Sequence, residues 1–369
     1  MSNDATKPGD SERLLSLDAL RGFDMFLISG AQAMTRIATE HTQWNWLVVL
    51  NKEFEHPVWN GFTFFDLIFP LFMFLSGVSF TFSLNKRLEE GKSLSVLHGH
   101  IIKRGLLLIL WGAICNGLLS LDFSNVIFGS VLGRIGLGYM AGALLALHIR
   151  SLSRRLICCA TLLLGYWAAM VLIPVPEFGA NDLTPGHTLA GYIDRMVMPG
   201  RLYAGDRDPN GLLATIPSIV NVLAGIMTGD LLRKTDTTGY QKVGIMFVVG
   251  IVSWGIGQVW GFEFPINKNL WSSSFVLVTV GWSLISLALF YLIIDVWKIR
   301  RWTLLFVVIG MNPLLIYIAQ NLIAFRDITH LLLHDESTKL HPFFFEIVMF
   351  SMKWFPLYYL YRKKIFWRI

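Results

Sequence analysis

The chain alternates between long apolar runs and short polar segments, and this pattern predicts its architecture. Because about 20 apolar residues are needed to cross the hydrocarbon core of a bilayer, the runs predict about ten transmembrane helices. Their expected bounds are 17–36, 63–84, 101–120, 126–149, 156–173, 212–232, 242–261, 270–295, 302–325 and 342–361. No segment recurs at a fixed period, and the two halves show no inverted repeat. The pattern therefore predicts an all-α, polytopic membrane helix bundle, a single domain over residues 13–369 that follows a disordered tail at residues 1–12.

Composition and charge agree with a chain embedded in the lipid bilayer. Hydrophobic residues make up 54% of the sequence and charged residues only 15%. The net charge of +6 does not indicate nucleic-acid binding, because the basic residues fall in short loops between apolar runs. Of these residues, 20 lie on the side of the termini and 8 on the other side. The positive-inside rule therefore predicts that both termini are cytoplasmic.

The first apolar run is expected to remain as a helix, because Asp18, Arg21 and Asp24 make it unlike a cleavable signal peptide. The inner (plasma) membrane of a bacterium is the predicted location. The oligomeric state stays open, with a homodimer as one option.

Candidate chemistry centres on the stretch HPVWNGFTFFDLIFPLFMFLSG, residues 56–77. It begins with the polar residues His56, Trp59 and Asn60 and then places Asp66 in an apolar run. Ionisable groups at the edge of a hydrocarbon region are costly and usually functional, so His56 and Asp66 are the candidate catalytic residues. If a helix already begins at His56, Asp66 lies nearly three turns away. Asp66 is then expected to orient a neighbour such as Arg134 or a loop amide instead of contacting His56.

Other polar residues within the apolar runs have two interpretations each. Asp18 and Arg21 are three apart on one helix face, so they form either a functional pair in the bundle or an ion pair at the cytoplasmic interface. Gln32 lies further along the same helix, towards the outer side. Arg134, among glycines in GSVLGRIGLGYM, either binds an acid or a phosphate or extends its charged end to the membrane surface.

Loops on the predicted outer side supply further polar groups. Asn267, Lys268 and Asn269 present donors and acceptors that suit sugar hydroxyls or an acyl carbonyl, although a polar helix start beside Trp271 is the competing interpretation. The long loop 174–210, which contains Asp208, is expected to cover a site.

Three further features are interpreted as structural. Asn312 and Pro313 predict a broken helix. No metal site is expected, because His330, His334 and His341 lack ligand spacing. The three cysteines, at positions 115, 158 and 159, are expected to be packing residues.

Six segments in order resemble the heparan-alpha-glucosaminide N-acetyltransferase family, the lysosomal enzyme and its bacterial relatives. They are LDALRGFD, HPVWNGFTFFDLIFPLFMFLSG, GSVLGRIGLGYM, DPNGLLATIPSI, INKNLWSSSFV and GMNPLLIYIA. The resemblance implies a multi-pass acetyltransferase that uses acetyl-CoA as co-substrate to acetylate the amine of a terminal glucosamine across a membrane. We expect the protein to lack the large luminal N-terminal domain of the lysosomal enzyme. A small amino sugar or a cell-envelope glycan is therefore the expected acceptor.

The resemblance also implies roles for individual residues. His56 matches the active-site histidine of the family, and Asp18 and Arg21 match its LDxxRG signature. Gln32 stands where the human-type enzyme has an asparagine. We expect acetyl-CoA at Arg21, Gln32 and Arg134. The acceptor is expected at the residues Asn60, Asp208, Asn267, Lys268 and Asn269.

Two mechanisms and two other protein classes remain open at this stage. Free imidazole has a pKa of about 6.5, so His56 suits either a general base or a carrier of a transient acetyl group. A transporter for N-acetylglucosamine or related amino sugars is the principal alternative, because interior charges and a broken helix also suit transport. A membrane assembly protein without catalytic activity explains the spans but not the polar motifs.

Overall fold

A computed structural model describes residues 14–333 and 341–367 of the chain. The predicted tail at residues 1–12 and His334 lie outside the described residues. The described part is helical, with two isolated backbone bridges in its loops. Its α-helices are α1 Leu15–Phe26, α2 Gln32–Thr42, α3 Asn45–Glu53, α4 Ile68–Glu89, α5 Leu94–Cys115, α6 Val131–His148, α7 Leu152–Leu172, α8 Leu189–Val197, α9 Thr215–Arg233, α10 Gly239–Trp260, α11 Ser273–Tyr291, α12 Leu304–Gly310, α13 Pro313–Leu322, α14 Phe325–Leu333 and α15 Pro342–Arg362.

Seven helices in the described residues are long and apolar enough to cross a membrane, or eight if the bent pair α12 and α13 forms one span. Two further segments have a suitable length but are less apolar. One is the continuous segment from α1 through the π-helical turn Leu27–Ala31 to α2, and the other is α15. Each of the ten apolar intervals in the sequence overlaps one of these helical segments. The protein is therefore an all-helical, multi-pass membrane protein.

Glycines allow the central helices to cross at very short distance. A Cβ atom added to Gly22 in α1 would lie 1.7 Å from the backbone oxygen of Phe306 in α12, and one added to Gly225 in α9 would lie 1.9 Å from the backbone oxygen of Phe74 in α4. Small residues at such crossings are typical of membrane helix pairs, where packing provides much of the association energy. These crossings fix α1 and α4, the two helices that carry the polar motifs.

The predicted helix break at Asn312 and Pro313 is confirmed. The axes of α12 and α13 differ by 61° across this break. The Asn312 side chain donates from Nδ2 to the carbonyl of Ile365 over 3.1 Å and accepts from the backbone N–H of Trp367 over 2.7 Å. The break therefore holds the C-terminal segment against the bundle.

The two ends of the bundle differ in character. The connection before α4, the loop around α8 and the α10–α11 connection lie at one end, which we name the site end. The α4–α5 connection lies at the other, which we name the basic end because Arg87, Lys103 and Arg104 lie near it. The first helix begins at the basic end, where the Ser16 N–H donates to Asp295 over 3.2 Å. It therefore runs towards the site end, where His56 follows.

Candidate active site

His56 lies in a non-helical connection that turns back onto the start of α4. Gln32 Nε2 donates to the carbonyl of Phe54 over 3.0 Å and fixes the beginning of this connection. At its end, Thr63 and Asp66 form a capping box in which each side chain accepts from the backbone N–H of the other residue. The turn brings His56 Nδ1 to 2.7 Å from Asp66 Oδ1. The expectation that Asp66 cannot contact His56 was wrong, because no helix runs between them.

The two oxygens of Asp66 have separate partners. Oδ2 accepts from the backbone N–H of Thr63 over 3.1 Å and from its hydroxyl over 3.3 Å, which caps the helix start. Oδ1 faces His56 and lies 3.4 Å from Nζ of Lys268. The carboxylate is fully buried, so these contacts replace its water. Asp66 thus fixes both the helix start and the histidine ring.

Lys268 completes a three-residue cluster with His56 and Asp66. Its Nζ lies 3.0 Å from Nε2 and 3.3 Å from Nδ1 of His56. A proton on Nδ1 is donated to Asp66, which leaves Nε2 as an acceptor that faces Lys268. Burial lowers the pKa of Lys268, while the Asp66 carboxylate acts in the opposite direction. The cluster therefore places an imidazole with a fixed tautomer beside an amine nitrogen.

A cavity of about 470 Å³ opens beside this cluster, and we name it the His56 cavity. The long loop 174–210 forms part of its wall through Tyr203, Pro209 and Asn210. Trp59 fixes this loop because its indole N–H donates to the carbonyl of Leu183 over 2.9 Å. The expectation that the loop covers a site agrees with this geometry.

Two of the expected acceptor-binding residues line the cavity, and three are not among its described lining residues. Lys268 and Asn269 line the cavity. Asn267 is fully buried, donates to the Asn60 side chain over 3.0 Å and accepts from the backbone N–H of Leu270 over 2.9 Å. Asp208 is also buried, and it accepts from the backbone of Tyr203 and Asn210. The structure therefore gives Asn267 and Asp208 the role of holding the loops in place, because their side-chain oxygens accept from loop backbone N–H groups, whereas Asn60 is exposed.

Arg134 and Gln32, expected at acetyl-CoA, do not lie among the described residues that line the His56 cavity. Gln32 holds the connection before His56, as described above. Arg134 is 1% exposed, so it does not extend to the membrane surface. Its guanidinium lies 4.7 Å from the ring centre of Trp271 and contacts the carbonyl of Gly211 at 3.5 Å. Arg134 therefore supports the aromatic wall from behind, because its guanidinium is held within the packed bundle.

A second cavity of about 520 Å³ opens towards the basic end, and we name it the basic cavity. Arg21 lines it, pairs with Asp18 at 3.5 Å and donates to the Ser79 hydroxyl. The other basic residues in its wall are Arg87, His100, Lys103 and Arg104, and its described lining contains no carboxylate. The two cavities share the wall residues Phe72, Ile135 and Leu314. A cationic cavity therefore adjoins the His56 cavity inside the bundle.

Sequence reasoning missed the role of Asp24 in the wall of the His56 cavity. The sequence signal was its position one turn beyond Arg21, on nearly the same face of α1. Trp271 and Tyr317 also line the cavity and had no signal that separated them from packing aromatics.

Comparison of the sequence with known proteins identifies one family. The family model described as "Heparan-alpha-glucosaminide N-acetyltransferase, catalytic" matches residues 13–257. The heparan-alpha-glucosaminide N-acetyltransferase of Homo sapiens is 31% identical, in a match that covers 86% of this chain and 56% of the human protein. The protein of the same name from Mus musculus is 30% identical with the same coverage. The chain thus spans about half the length of the curated relatives it matches.

Proposed function

Because this chain belongs to the heparan-alpha-glucosaminide N-acetyltransferase family, we propose that it is a membrane-embedded acetyltransferase. It moves an acetyl group from acetyl-CoA to the amine of glucosamine or a related amino sugar. The proposal extends the activity named for the relatives to a chain that spans about half their length.

The observation that carries the proposal is the contact between His56 and Asp66 at the edge of a cavity. An amine that attacks a thioester must lose a proton, and a histidine held in one tautomer by a carboxylate is suited to accept it. Nε2 of His56 is the atom that faces an amine nitrogen, that of Lys268, at 3.0 Å. The acceptor amine takes a similar position when it replaces Lys268 there.

In the proposed reaction, His56 Nε2 takes a proton from the acceptor amine as its nitrogen bonds to the thioester carbonyl carbon. The carbon–sulfur bond then breaks, and the imidazolium returns a proton to the departing sulfur. Asp66 stabilises the imidazolium without accepting its proton. Lys268, once displaced from Nε2, is placed to donate to the carbonyl oxygen as negative charge develops there. A transient acetyl group on His56 is the alternative, with the same residues in the same places.

The basic cavity is the proposed site for the phosphates of acetyl-CoA. Its four Lys and Arg side chains, without a carboxylate among the described lining residues, fit a polyanionic group. The shared wall at Phe72, Ile135 and Leu314 offers a route for the thioester arm to reach His56. Three residues were expected to bind acetyl-CoA, namely Arg21, Gln32 and Arg134. Only Arg21 lines the basic cavity, and we assign it to the phosphates of acetyl-CoA.

The proposed topology places this cavity on the cytoplasmic side, where acetyl-CoA is made. It has ten spans, with the first formed by residues 15–42 and the last by α15, and both termini in the cytoplasm. The distribution of basic residues between the loops supports it. His56, Lys268 and Asn269 then face the outer side, where the acceptor binds. In a bacterium this membrane is the inner membrane.

Acetyl transfer by the purified protein in detergent tests the proposal. Radiolabelled acetyl-CoA and glucosamine should yield labelled N-acetylglucosamine, and omission of either substrate should abolish the product. A folded protein that produces none with glucosamine or related amino sugars, yet takes up amino sugars in proteoliposomes, would establish the transporter instead.

A further inference from the structure

Asp24 is a buried carboxylate without a hydrogen-bond partner in the described part of the chain. It lies in the wall of the His56 cavity and has no measurable exposure to solvent. Neither Oδ1 nor Oδ2 has a hydrogen-bond partner among the described residues. Buried polar groups in proteins are almost always paired, and an exception indicates strain, catalysis or an absent ligand.

The position of Asp24 is fixed by helix packing. Gly22, two residues earlier, packs against the backbone of Phe306 in α12, so α1 lies in close contact with the bundle at this point. The π-helical turn Leu27–Ala31 begins three residues after Asp24, and such turns often occur at functional sites. Arg21, one helical turn earlier, lines the basic cavity. The same helix thus places a cation at the basic cavity and an anion at the His56 cavity.

Formal charges in the wall of the His56 cavity do not balance. The charged side chains there are Asp24, Asp66 and Lys268, together with the neutral or charged imidazole of His56. Asp66 and Lys268 neutralise each other at 3.4 Å. With a neutral imidazole and an ionised Asp24, one negative charge remains, and it belongs to Asp24. A ligand that carries one positive charge would balance the cavity.

We propose that Asp24 binds the ammonium group of the acceptor in the His56 cavity and so selects cationic amino sugars over neutral sugars. This inference rests on the proposed function, in which the acceptor is an amine; the bound ammonium ion leaves one proton on the Asp24 carboxylate before the neutral amine attacks the thioester. A carboxylate and an ammonium ion form a charge-assisted hydrogen bond, which is stronger in a site that excludes water. The same pairing replaces the water that Asp24 loses on burial. A neutral sugar of the same size would leave Asp24 without a partner.

Isothermal titration of the purified protein in detergent, without acetyl-CoA, tests this role. The ligands are glucosamine and glucose, which differ at one substituent, and the variants are Asp24→Asn and Asp295→Asn. We expect the native protein to bind glucosamine at least about tenfold more tightly than glucose. Asp24→Asn should lose this preference, and its affinity for glucose should stay unchanged. Asp295→Asn, which removes a carboxylate at the basic end, should keep the preference.

The native protein also provides a test that needs no variant, in case Asp24→Asn does not fold. Affinity for glucosamine should fall as rising pH removes the proton of its amine, while affinity for glucose should change much less. Glucose controls for the other ionisable groups of the cavity, which are His56, Asp66, Tyr203, Lys268 and Tyr317. Equal affinities of the native protein for the two sugars, or a preference that persists in Asp24→Asn, would overturn the role of Asp24.

This binding assay separates the failure of the inference from the failure of the proposed function. Selective binding of glucosamine without acetyl transfer would support Asp24 as an ammonium site and refute the proposed acetyltransferase activity. Acetyl transfer by the native protein, with unchanged selectivity in Asp24→Asn, would support the acetyltransferase activity. It would refute a role of Asp24 in acceptor recognition.

Discussion

Replacement of Asp66 by asparagine keeps the shape of the side chain and removes its charge. The hydrogen bond to His56 at 2.7 Å is then no longer charge-assisted, and the imidazolium loses its stabilising partner. A hydrogen bond to a charged group contributes about 1.5–3 kcal/mol. If that contribution is made in the transition state, its loss lowers kcat about 10- to 150-fold at about 1.4 kcal/mol per factor of ten. We expect the KM for acetyl-CoA to change little, because Asp66 does not line the basic cavity.

The same substitution should also lower stability, because Lys268 loses its carboxylate. Breaking a buried ion pair costs about 3–5 kcal/mol. The cost here should be smaller, because about a quarter of the Lys268 side chain is exposed (26%). The double variant Asp66→Asn with Lys268→Met removes both charges and should regain most of the lost stability without regaining activity.

Steady-state acetyl transfer and thermal unfolding in detergent measure the two effects separately. A wild-type kcat in Asp66→Asn would refute the role of Asp66 in orienting His56. Recovery of activity in the double variant would show instead that charge balance, and not the orientation of His56, limits the reaction.

Three further predictions address the fold, the donor site and pH. Gly22→Ala should lower the thermal unfolding midpoint, because its Cβ would lie 1.7 Å from a backbone oxygen. Gly99 has open space around it, so Gly99→Ala should leave the midpoint unchanged or raise it. Lys103→Gln should raise the KM for acetyl-CoA about tenfold through the loss of a phosphate contact. Arg154 is exposed and does not line the basic cavity, so Arg154→Gln should leave this KM unchanged. Equal effects of the two substitutions would contradict a site for acetyl-CoA in the basic cavity. Burial raises the pKa of Asp194 to about 6, so its protonated form stabilises the fold at low pH and that contribution is lost as pH rises from about 4 through 6. Asp194→Asn should flatten the fall in unfolding midpoint over that range, and an unchanged slope would exclude Asp194 as its source.

The helices were predictable from the sequence because hydrocarbon imposes a length and a composition on each span. The break at Asn312 and Pro313 was predictable for a local reason, since proline cannot continue the hydrogen-bond pattern of a helix. The observed helices overlap the predicted runs from α4 to α11, except α8, which lies within the predicted loop 174–210. The local sequence pattern was therefore sufficient to predict the long helices and the helix break.

The site was only partly predictable, because its contacts depend on tertiary geometry. His56, Asp66 and Lys268 were each identified as candidates, but Lys268 is separated from His56 by 212 positions. The contact between His56 and Asp66 depends on a non-helical turn that the apolar pattern does not reveal. Asn267 has the same donors and acceptors as Asn269, and only burial distinguishes the residue that holds the loop from the one that lines the cavity.

Transfer across a sealed bilayer is the measurement that tests the central claim most directly. Proteoliposomes would contain glucosamine inside, labelled acetyl-CoA outside, and either the native protein, His56→Ala or His187→Ala. His187 is a matched control, because its Nδ1 lies 2.8 Å from Asp182 in a similar pair that does not line the His56 cavity. We predict labelled N-acetylglucosamine inside the vesicles with the native protein and His187→Ala, and none with His56→Ala. Product that forms only when both substrates are on the same side, or that forms equally with His56→Ala, would contradict the account.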